Sequence, residues 1–298
     1  MMASAPTQTP LQLSPIIVGT WRMGSWNLDA RQTLTWIEAC LDLGLTSFDH
    51  ADIYGGYTVE AMFGQALALR PALRQRMQLV SKCGIRLVHP NRPAHAIKSY
   101  DTSQAHVRAS VEQSLRALQT DHLDLLLIHR PDSLMDPEQL AAVLSALRAE
   151  GKVLHFGVSN HTPAQFAMLD RRLPLVTNQI EFSPLQMKAL ADGTLDQATD
   201  MGRPPMIWSP LGGGRLFSAE DELARRVRAA LQAVAHAHGV SLATAAYAWI
   251  RRHPSRPLPI TGSGRLEALR EAVVALPLTL SREQWWSVWQ ASMGHDIP

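Results

Sequence analysis

Short apolar runs alternate along the chain with longer stretches in which apolar residues recur every three or four positions. Eight short runs have the length of β-strands, at residues 16–19, 47–50, 77–82, 123–129, 154–159, 176–181, 206–209 and 258–260. Several are continuously apolar, which is typical of parallel strands covered on both faces. The spacing between them predicts α-helices at residues 30–43, 102–118, 137–149, 163–169, 220–238, 266–275 and 282–292.

Eight strands with interleaved helices fit two architectures in a chain of 298 residues. One is a (β/α)8 barrel of about 250 residues, and the other is an open, doubly wound parallel sheet. The hydrophobic pattern alone does not separate them. Since the chain has no short repeat, low-complexity segment or Ser/Gly-rich linker, we expect one α/β domain over residues 14–298. Residues 1–13 are polar and Pro-rich, and we expect them to form a disordered or extended tail.

Composition and charge narrow the class of function. The chain carries 28 Lys and Arg against 26 Asp and Glu, a net charge of +2, which gives no reason to expect nucleic acid or an anionic membrane as a partner. No apolar run approaches the ~20 residues that span a bilayer, and no secretory signal is visible at the start. Two cysteines, Cys40 and Cys83, are too few for a disulfide framework or a Cys-rich zinc site, so we expect a cytoplasmic protein.

Several familiar chemical motifs are missing from the sequence. No GxGxxG follows the first predicted strand, and GxxxxGK[ST], HExxH and GxSxG do not occur. The twelve histidines are scattered, and His236 and His238 lie two apart on a predicted helix, so they cannot share a face as metal ligands. We therefore expect no metal site.

Polar side chains end three successive apolar strands. Asp49, Lys82 and His129 end the second, third and fourth predicted strands, and Tyr54 follows Asp49 by five residues. In a barrel, adjacent strands lie ~4.8 Å apart and their carboxyl ends build the active site, so these side chains are expected to cluster. Alternatively, Asp49 and Lys82 form a structural ion pair and His129 is a core histidine. Four complementary residues at successive strand ends favour a catalytic role over this structural one.

These four residue types suit proton transfer to a carbonyl oxygen. An ammonium beside a phenol lowers the phenol's pKa from about 10, and a carboxylate keeps the ammonium charged and fixed. We therefore expect Lys82 and Asp49 to lower the Tyr54 pKa, so that Tyr54 delivers a proton near neutral pH. His129 would orient or polarise the carbonyl oxygen.

The chain resembles the aldo-keto reductases, a family of (β/α)8 barrels that use NADPH or NADH. The resemblance rests on Lys82 and on GTW at 19–21, FDHADIYG at 48–55, LLIHRPD at 126–132, GVSN at 157–160, NQIEFSP at 178–184 and WSPLGGG at 208–214. The motifs occur in the family's order from about residue 14 to the C-terminus. DHADIYGGY at 49–57 and GHDIP at 294–298 are similar to a bacterial subgroup of YdhF-like oxidoreductases.

The resemblance implies a role for each matched residue. Tyr54 would be the general acid in reduction and the base in oxidation, tuned by Asp49 and Lys82, with His129 orienting the substrate. Ser159, Asn160 and Gln179 would hold the nicotinamide carboxamide, and Trp208 would stack on the ring. Implied elsewhere along the cofactor are Gly19, Thr20, Trp21, Asp49, Ser209, Pro210, Leu211, Gly213, Gly214, Arg215, Gly262, Ser263, Arg265, Arg270 and Glu271.

The substrate is expected to enter beside loop aromatics. Trp21 and Trp26 would line the mouth of the pocket above Tyr54 and His129. The longest predicted loop, at residues 84–101, would shape the same pocket, because loops of that length in compact domains are often functional.

The segment expected to bind the adenosine end of the cofactor departs from the family pattern. Ala268 stands where the family has an Arg, and Ala272 stands where it has an Asn. Since Arg265 and Arg270 lie nearby, we expect NADP(H) as cofactor, with NAD(H) as the alternative.

The resemblance leaves two functions open. The first is reduction of a small-molecule carbonyl substrate by direct hydride transfer, in a monomer or weak oligomer. The second is a regulatory or redox-sensing NADP(H)-binding barrel with little turnover. The complete set of Asp49, Tyr54, Lys82 and His129 favours the enzyme, because a binding module has no need of proton chemistry.

Overall fold

Eight parallel strands close into a barrel in the computed structural model, which describes residues 11–297. Its strands are β1 (Ile17–Gly19), β2 (Ser47–Asp49), β3 (Gln78–Cys83), β6 (Leu123–Ile128), β7 (Val153–Ser159), β8 (Asn178–Glu181), β9 (Met206–Trp208) and β10 (Leu258–Thr261). The order around the barrel is β1-β10-β9-β8-β7-β6-β3-β2. Two short strands, β4 (Ile85–Arg86) and β5 (Ser99–Tyr100), pair antiparallel outside the barrel. Closure decides for the single-domain (β/α)8 barrel over the open sheet.

Helices surround the barrel and follow the strands in sequence. They are α1 (Ala30–Asp42), α2 (Val59–Ala68), α3 (Gln104–Leu118), α4 (Pro137–Ala149), α5 (Pro163–Asp170), α6 (Thr194–Asp200), α7 (Arg215–Ser218), α8 (Glu222–His238), α9 (Leu242–Arg251), α10 (Leu266–Val274) and α11 (Arg282–Met293). Local sequence sets several of their ends. At α1, for example, Asp29 and Gln32 form a reciprocal capping box, and Gly44 follows the helix with a φ of +77°.

Two hydrophobic clusters hold the layers together. The larger one lies between the strands and the helices and includes Phe48, Phe63 and Trp249. The smaller one fills the barrel interior with Ile17, Val80, Leu125, Leu127, Met206 and Ile260. Because side chains alternate along a strand, the inward residue two positions beyond Val80 is Lys82, at the carboxyl end of β3. The interior therefore changes from apolar to charged where the strands end.

Four helices and one hairpin differ from the sequence-based expectation. Helix α9 was missed; its residues 243–250 are all buried, and the sequence-based expectation left this part of the chain without an element. Helix α2 carries Gly64 in its middle, where an added Cβ would lie 2.0 Å from the carbonyl oxygen of Ala117 on α3. The other two missed helices, α6 and α7, are only seven and four residues long. The predicted loop at residues 84–101 contains the β4–β5 hairpin.

The predicted tail at residues 1–13 lies mostly outside the described residues. Its last part is described, and there Leu11 and Leu13 pack against the cluster inside the barrel. Over residues 11–297, no helix has both the length and the apolar character needed to cross a membrane.

Candidate active site

A continuous cavity of about 1080 Å³ opens at the carboxyl ends of the barrel strands. Tyr54, Asp49 and His129 line it, and Lys82 lies beneath them, fully buried. Pockets for small ligands usually measure about 300–1,000 Å³. This cavity therefore has room for a dinucleotide and a small substrate together.

Lys82 is the centre of a hydrogen-bond network that the strand ends bring together. Its Nζ donates to Asp49 Oδ2 at 2.7 Å, to Tyr54 Oη at 2.8 Å and to the carbonyl oxygen of His50 at 2.7 Å. The ammonium thus uses all three of its donors. Asp49 Oδ1 accepts from Gln179 Nε2 at 2.8 Å. Full hydrogen bonding of this kind is what allows an ion pair to remain charged in a barrel interior.

The net direction of the Tyr54 pKa corrects the expectation from sequence. Burial raises the pKa of the phenol above its ordinary value, and the positive charges of Lys82 and Arg130 only partly oppose the rise. The expected lowering was wrong because loss of water around the phenol outweighs the neighbouring charge. Tyr54 is therefore a protonated phenol at neutral pH, which is the form that can donate a proton.

Lys82 and His129 hold opposite protonation states. Burial alone would lower the Lys82 pKa, but the adjacent Asp49 and Tyr54 raise it, and the net direction is upward. Burial lowers the pKa of His129 well below its usual range, and the charges of Lys82 and Arg130 add to this effect. His129 is therefore a neutral imidazole. Its Nδ1 is buried without a partner among the described residues, so a proton on Nε2 avoids a buried, unsatisfied N–H.

The backbone after Tyr54 makes a tight left-handed turn. Gly55, Gly56 and Tyr57 have φ angles of +57°, +64° and +72°. The conformation suits the two glycines but is uncommon for Tyr57, so surrounding contacts have to hold it.

The segment between β4 and β5 supplies those contacts. Asn91 Nδ2 donates to the carbonyl oxygen of Gly56 at 2.8 Å, and the backbone N–H of Leu87 donates to Tyr57 Oη at 2.8 Å. The Arg92 guanidinium lies over the Tyr57 ring, 4.4 Å from its centroid. We call this set of contacts to Gly56 and Tyr57 the hairpin brace. It holds the turn that carries the Tyr54 phenol.

Amide and hydroxyl groups gather at the ends of β7 and β8. Asn160 Nδ2 donates to Ser159 Oγ at 2.7 Å, and Trp208 Nε1 donates to Asn160 Oδ1 at 3.0 Å. Ser159 Oγ donates to the carbonyl oxygen of Gln179 at 3.0 Å. Gln179 Oε1 accepts no hydrogen bond within residues 11–297, and the second Nδ2 hydrogen of Asn160 is also unused. One free acceptor and one free donor side by side match a primary amide, which is the group that a nicotinamide presents.

A glycine turn follows β9 at the cavity wall. Gly212, Gly213 and Gly214 have φ angles of +60°, +68° and +103°, and a Cβ added at Gly214 would meet no atom within 4 Å. Bare backbone of this kind is what a pyrophosphate group requires for close approach. Arg22, from the loop after β1, donates from Nη2 to the carbonyl oxygen of Gly213 at 2.9 Å.

The far end of the cavity is built by the segment between β10 and α10. Arg265, Ala268 and Glu271 line it, together with residues 262–264. Arg270 does not line the cavity, and its guanidinium lies 3.5 Å from Glu267 on the exposed face of α10. The structure therefore brings Arg265 to this end and leaves Arg270 outside.

Two other predicted cofactor residues also point elsewhere. Thr20 is fully buried, and its Oγ1 donates to the carbonyl oxygen of Asp49 at 3.0 Å. Arg215 pairs with Asp221 at 2.9 Å and does not line the cavity. The remaining predicted cofactor residues do line it: Gly19, Trp21, Asp49, Ser159, Asn160, Gln179, Trp208, Ser209, Pro210, Leu211, Gly213, Gly214, Gly262, Ser263, Arg265 and Glu271.

Several aromatic and charged side chains also line the cavity. Trp21 and Trp26 line it as predicted, and Trp21 is 61% exposed. Lys98, Tyr100 and Arg130 also line the cavity and were not predicted individually. The first two lie in the 84–101 segment that was expected to shape the pocket, and Arg130 follows His129 directly.

Within residues 11–297, the site lies beside neither a metal-ligand cluster nor an exposed thiol. No cluster of three or more His, Cys, Asp or Glu side chains within residues 11–297 has metal-binding geometry. Cys40 and Cys83 are free and buried, and burial raises the pKa of both thiols. Thiols held protonated in this way are inert.

Known proteins resemble this chain over nearly its full length. The sequence is 50% identical to the oxidoreductase YcsN of Bacillus subtilis over 97% of both chains, and 51% identical to the oxidoreductase YdhF of Escherichia coli over 96% of both. It is also 42% identical to a 6-dehydroglucose reductase of Agrobacterium fabrum, covering 96% of this chain and 97% of the relative.

Solved structures and a family model agree with these relatives. The fold matches a glycerol dehydrogenase of Gluconobacter oxydans with a TM-score of 0.84 at 22% identity, covering 97% of this chain and 94% of that one. It matches an aldo/keto reductase of Klebsiella pneumoniae, solved with NADP and acetate, with a TM-score of 0.74 at 29% identity over 93% and 90%. The model of the aldo/keto reductase family matches residues 15–292. The chain therefore belongs to the aldo/keto reductase family.

Proposed function

We propose that this protein reduces aldehydes or ketones to alcohols with NADPH. The observation that carries the proposal is the buried Lys82 network, which presents a protonated Tyr54 phenol to a cavity that His129 also lines. Burying the Lys82–Asp49 ion pair costs desolvation free energy, and a purely regulatory barrel has no need of the proton donor that this pair supports.

Tyr54 is the proton donor in this mechanism. Its Oη transfers a proton to the carbonyl oxygen of the substrate, and the resulting phenolate is stabilised by the Lys82 ammonium 2.8 Å away. Asp49 keeps Lys82 charged and in place. Bound NADPH supplies the hydride that adds to the carbonyl carbon. In the oxidative direction Tyr54 acts as the base.

His129 positions the carbonyl oxygen beside Tyr54. The two rings meet edge to face, with their centroids 6.1 Å apart. A neutral imidazole donates from Nε2 without placing a second positive charge beside Lys82. Such a donor also stabilises the negative charge that develops on the oxygen.

Residues of the second half of the barrel would hold the cofactor. Gln179 Oε1 and the free Asn160 donor fit the carboxamide, and the glycine turn at 212–214 fits the pyrophosphate. Arg265 is the cation available at the far end of the cavity for a 2′-phosphate. Support for NADPH over NADH also comes from the Klebsiella pneumoniae relative, which was solved with NADP.

A Tyr54→Phe variant tests the proposal directly. We expect wild-type protein to oxidise NADPH, followed at 340 nm, when simple aldehydes are added. Losing a general acid costs about 10²- to 10⁴-fold in rate, so the variant should lose turnover by that factor and still bind NADPH, measured by fluorescence titration. NADPH binding by the wild type without turnover of any aldehyde would support the regulatory barrel instead.

A further inference from the structure

Two carboxyl groups lie buried behind the turn that carries Tyr54. Asp52 belongs to this turn and is 8% exposed, and Glu60 lies in the first turn of α2 and is 5% exposed. Over the part of the chain that the structure describes, neither carboxyl forms an ion pair. A buried carboxylate without a cation is costly, and taking up a proton removes that cost.

The hydrogen bonds of the two carboxyls show which one takes the proton. Glu60 Oε1 accepts from the Ser81 hydroxyl at 2.5 Å, a length typical of a hydroxyl that donates to a charged carboxylate. Asp52 Oδ1 is buried and has no hydrogen-bond partner within residues 11–297. A carboxylate oxygen left unpaired in this way is unfavourable, whereas a protonated carboxyl has an O–H to donate. The contacts therefore favour Glu60 as the anion and Asp52 as the neutral acid.

The pKa directions of the two carboxyls agree with this division. Burial and the Glu60 charge raise the Asp52 pKa well above its ordinary value. Burial also raises the Glu60 pKa, but hydrogen bonds from Ser81 and Ser114 and the charge of Lys82 oppose the rise. Two neighbouring carboxyls of this kind hold one proton between them.

The other ionisable groups near Asp52 do not supply a paired cation. Arg92, from the β4–β5 segment, lowers the Asp52 pKa only in part, and its guanidinium lies over the Tyr57 ring. Cys83, on β3, is a neutral thiol, because burial and the charges of the two carboxyls raise its pKa. On the α3 side, a hydrogen bond from Ser110 acts on the Asp52 pKa. Glu60 therefore remains the acceptor available to an Asp52 O–H.

The backbone of Asp52 ties this pair to the catalytic network. Its N–H donates to the carbonyl oxygen of Lys82 at 3.1 Å, and the Tyr54 N–H donates to the carbonyl oxygen of Ala51 at 3.1 Å. The groups that act on the Asp52 side chain lie on α2 and α3, as Glu60 and Ser110 show. A hydrogen bond between the two carboxyls would thus fasten the Tyr54 turn to the helix layer.

We propose that Asp52 is a positioning residue for Tyr54: as a neutral acid it donates a hydrogen bond to the Glu60 carboxylate and fixes the turn that carries the phenol. The positioning role rests on the proposed reductase function. The protonation of Asp52 does not, so the two parts are tested separately.

Infrared spectroscopy tests the proton without any substrate. Wild-type protein at pH 7 should show the C=O stretch of a protonated carboxylic acid, and Asp52→Asn should lose this band. Asp124→Asn is the matched control, because Asp124 pairs with Arg74 at 2.7 Å and should not contribute to the band. A wild-type spectrum without the band, or a band that persists in Asp52→Asn, would overturn the proposal.

The pH dependence of stability gives a second readout. An acid whose pKa is higher in the folded than in the unfolded chain loses its contribution to stability as pH rises between the two values. Between pH 5 and pH 7, the unfolding equilibrium constant of the wild type should therefore rise about tenfold per pH unit relative to that of Asp52→Asn. Equal slopes in chemical denaturation would show that Asp52 is ionised in the folded protein.

Turnover tests the positioning role. Asp52→Asn keeps a donor of the same shape, so we expect its kcat to stay within about twofold of the wild type. Asp52→Ala removes the donor and should lower kcat about tenfold, while NADPH affinity, measured by fluorescence titration, stays unchanged. Val111→Ala, at a fully buried position on α3, is the control for lost packing and should keep the wild-type kcat.

The outcomes of these kinetic measurements separate the two proposals. A wild-type kcat in Asp52→Ala would overturn the positioning role and leave the reductase standing. Absence of turnover in the wild-type protein would instead contradict the proposed function, and the infrared band would still report whether Asp52 holds the proton.

Discussion

The two halves of the cavity are built in different ways. The groups proposed for proton transfer come from residues 49–129; Asp49 and Tyr54 are already hydrogen-bonded to Lys82, and the His129 ring lies edge to face with Tyr54. The groups proposed for the cofactor come mainly from residues 159–271 and keep unused capacity, such as Gln179 Oε1 and the bare glycine turn at 212–214. The fold preorganises the chemical half, whereas the proposed cofactor half would be completed by its ligand.

Breaking the preorganised half should produce the largest effect. Lys82→Met leaves the Asp49 carboxylate buried without its partner, which costs about 3–5 kcal/mol of stability. It also removes the cation that stabilises the Tyr54 phenolate, so we expect kcat/KM to fall by at least about 10³-fold. Chemical denaturation and steady-state kinetics measure the two effects.

A double variant separates charge from packing at this position. Asp49→Asn combined with Lys82→Met removes both charges, so the protein should regain part of the lost stability and none of the lost activity. A single Lys82→Met variant as stable as the wild type would contradict the buried ion pair.

The Tyr54 pKa predicts opposite pH profiles for the two reaction directions. Because burial holds this pKa above the ordinary value of a tyrosine, the phenolate fraction rises tenfold per pH unit below it. We expect alcohol oxidation to accelerate by about 100-fold between pH 7 and pH 9. Reduction needs the phenol and should stay level over that range. A reduction rate that falls between pH 7 and pH 9 would show that the pKa is instead lowered.

In the cofactor half, a substitution is expected to increase the preference for NADPH rather than to reduce activity. Ala268→Arg would place a forked guanidinium beside Arg265 at the far end of the cavity. We expect the NADPH-to-NADH ratio of kcat/KM to widen by about tenfold, as for a charge-assisted contact. Activity with NADH should stay near the wild-type value, because NADH lacks the 2′-phosphate. An unchanged ratio would place the 2′-phosphate elsewhere.

The hairpin brace should give the smallest effect. Asn91→Ala removes one hydrogen bond to Gly56 and loosens the turn behind Tyr54, so we expect kcat to fall about two- to tenfold with little change in the KM for NADPH. Asn91→Asp should behave alike, because a carboxylate cannot donate to the Gly56 carbonyl. A wild-type kcat in both variants would show that the turn holds without this contact.

Much of the proton-transfer half was predictable from sequence. Asp49, Lys82 and His129 end apolar strands, and strand ends converge in a barrel whatever the loops do. The direction in which the Tyr54 pKa shifts was not predictable, because the desolvation cost depends on how much of the folded chain surrounds the phenol. The spacing of residues in the sequence indicates which charges lie near the phenol, but it does not indicate how far the phenol is removed from water.

The cofactor half was predicted less well at two long, charged side chains. Arg215 and Arg270 lie in segments that flank the cavity, but each forms an ion pair with a nearby carboxylate instead of lining it. Arg215 pairs with Asp221, and Arg270 pairs with Glu267. In the fold, α9 was not predicted from its sequence, and packing buries nearly all of its residues. In both cases the deciding contacts come from packing.

The hydrogen bond from Gln179 to Asp49 joins side chains 130 residues apart in sequence and crosses from one half of the cavity to the other. It is a direct contact between the proposed cofactor half and the Lys82 network. By linkage, any free energy by which the bound cofactor shifts the titration of Tyr54 must return, equal in size, as a pH dependence of cofactor affinity. A cofactor titration across pH therefore reports on the proton-transfer network without any substrate present.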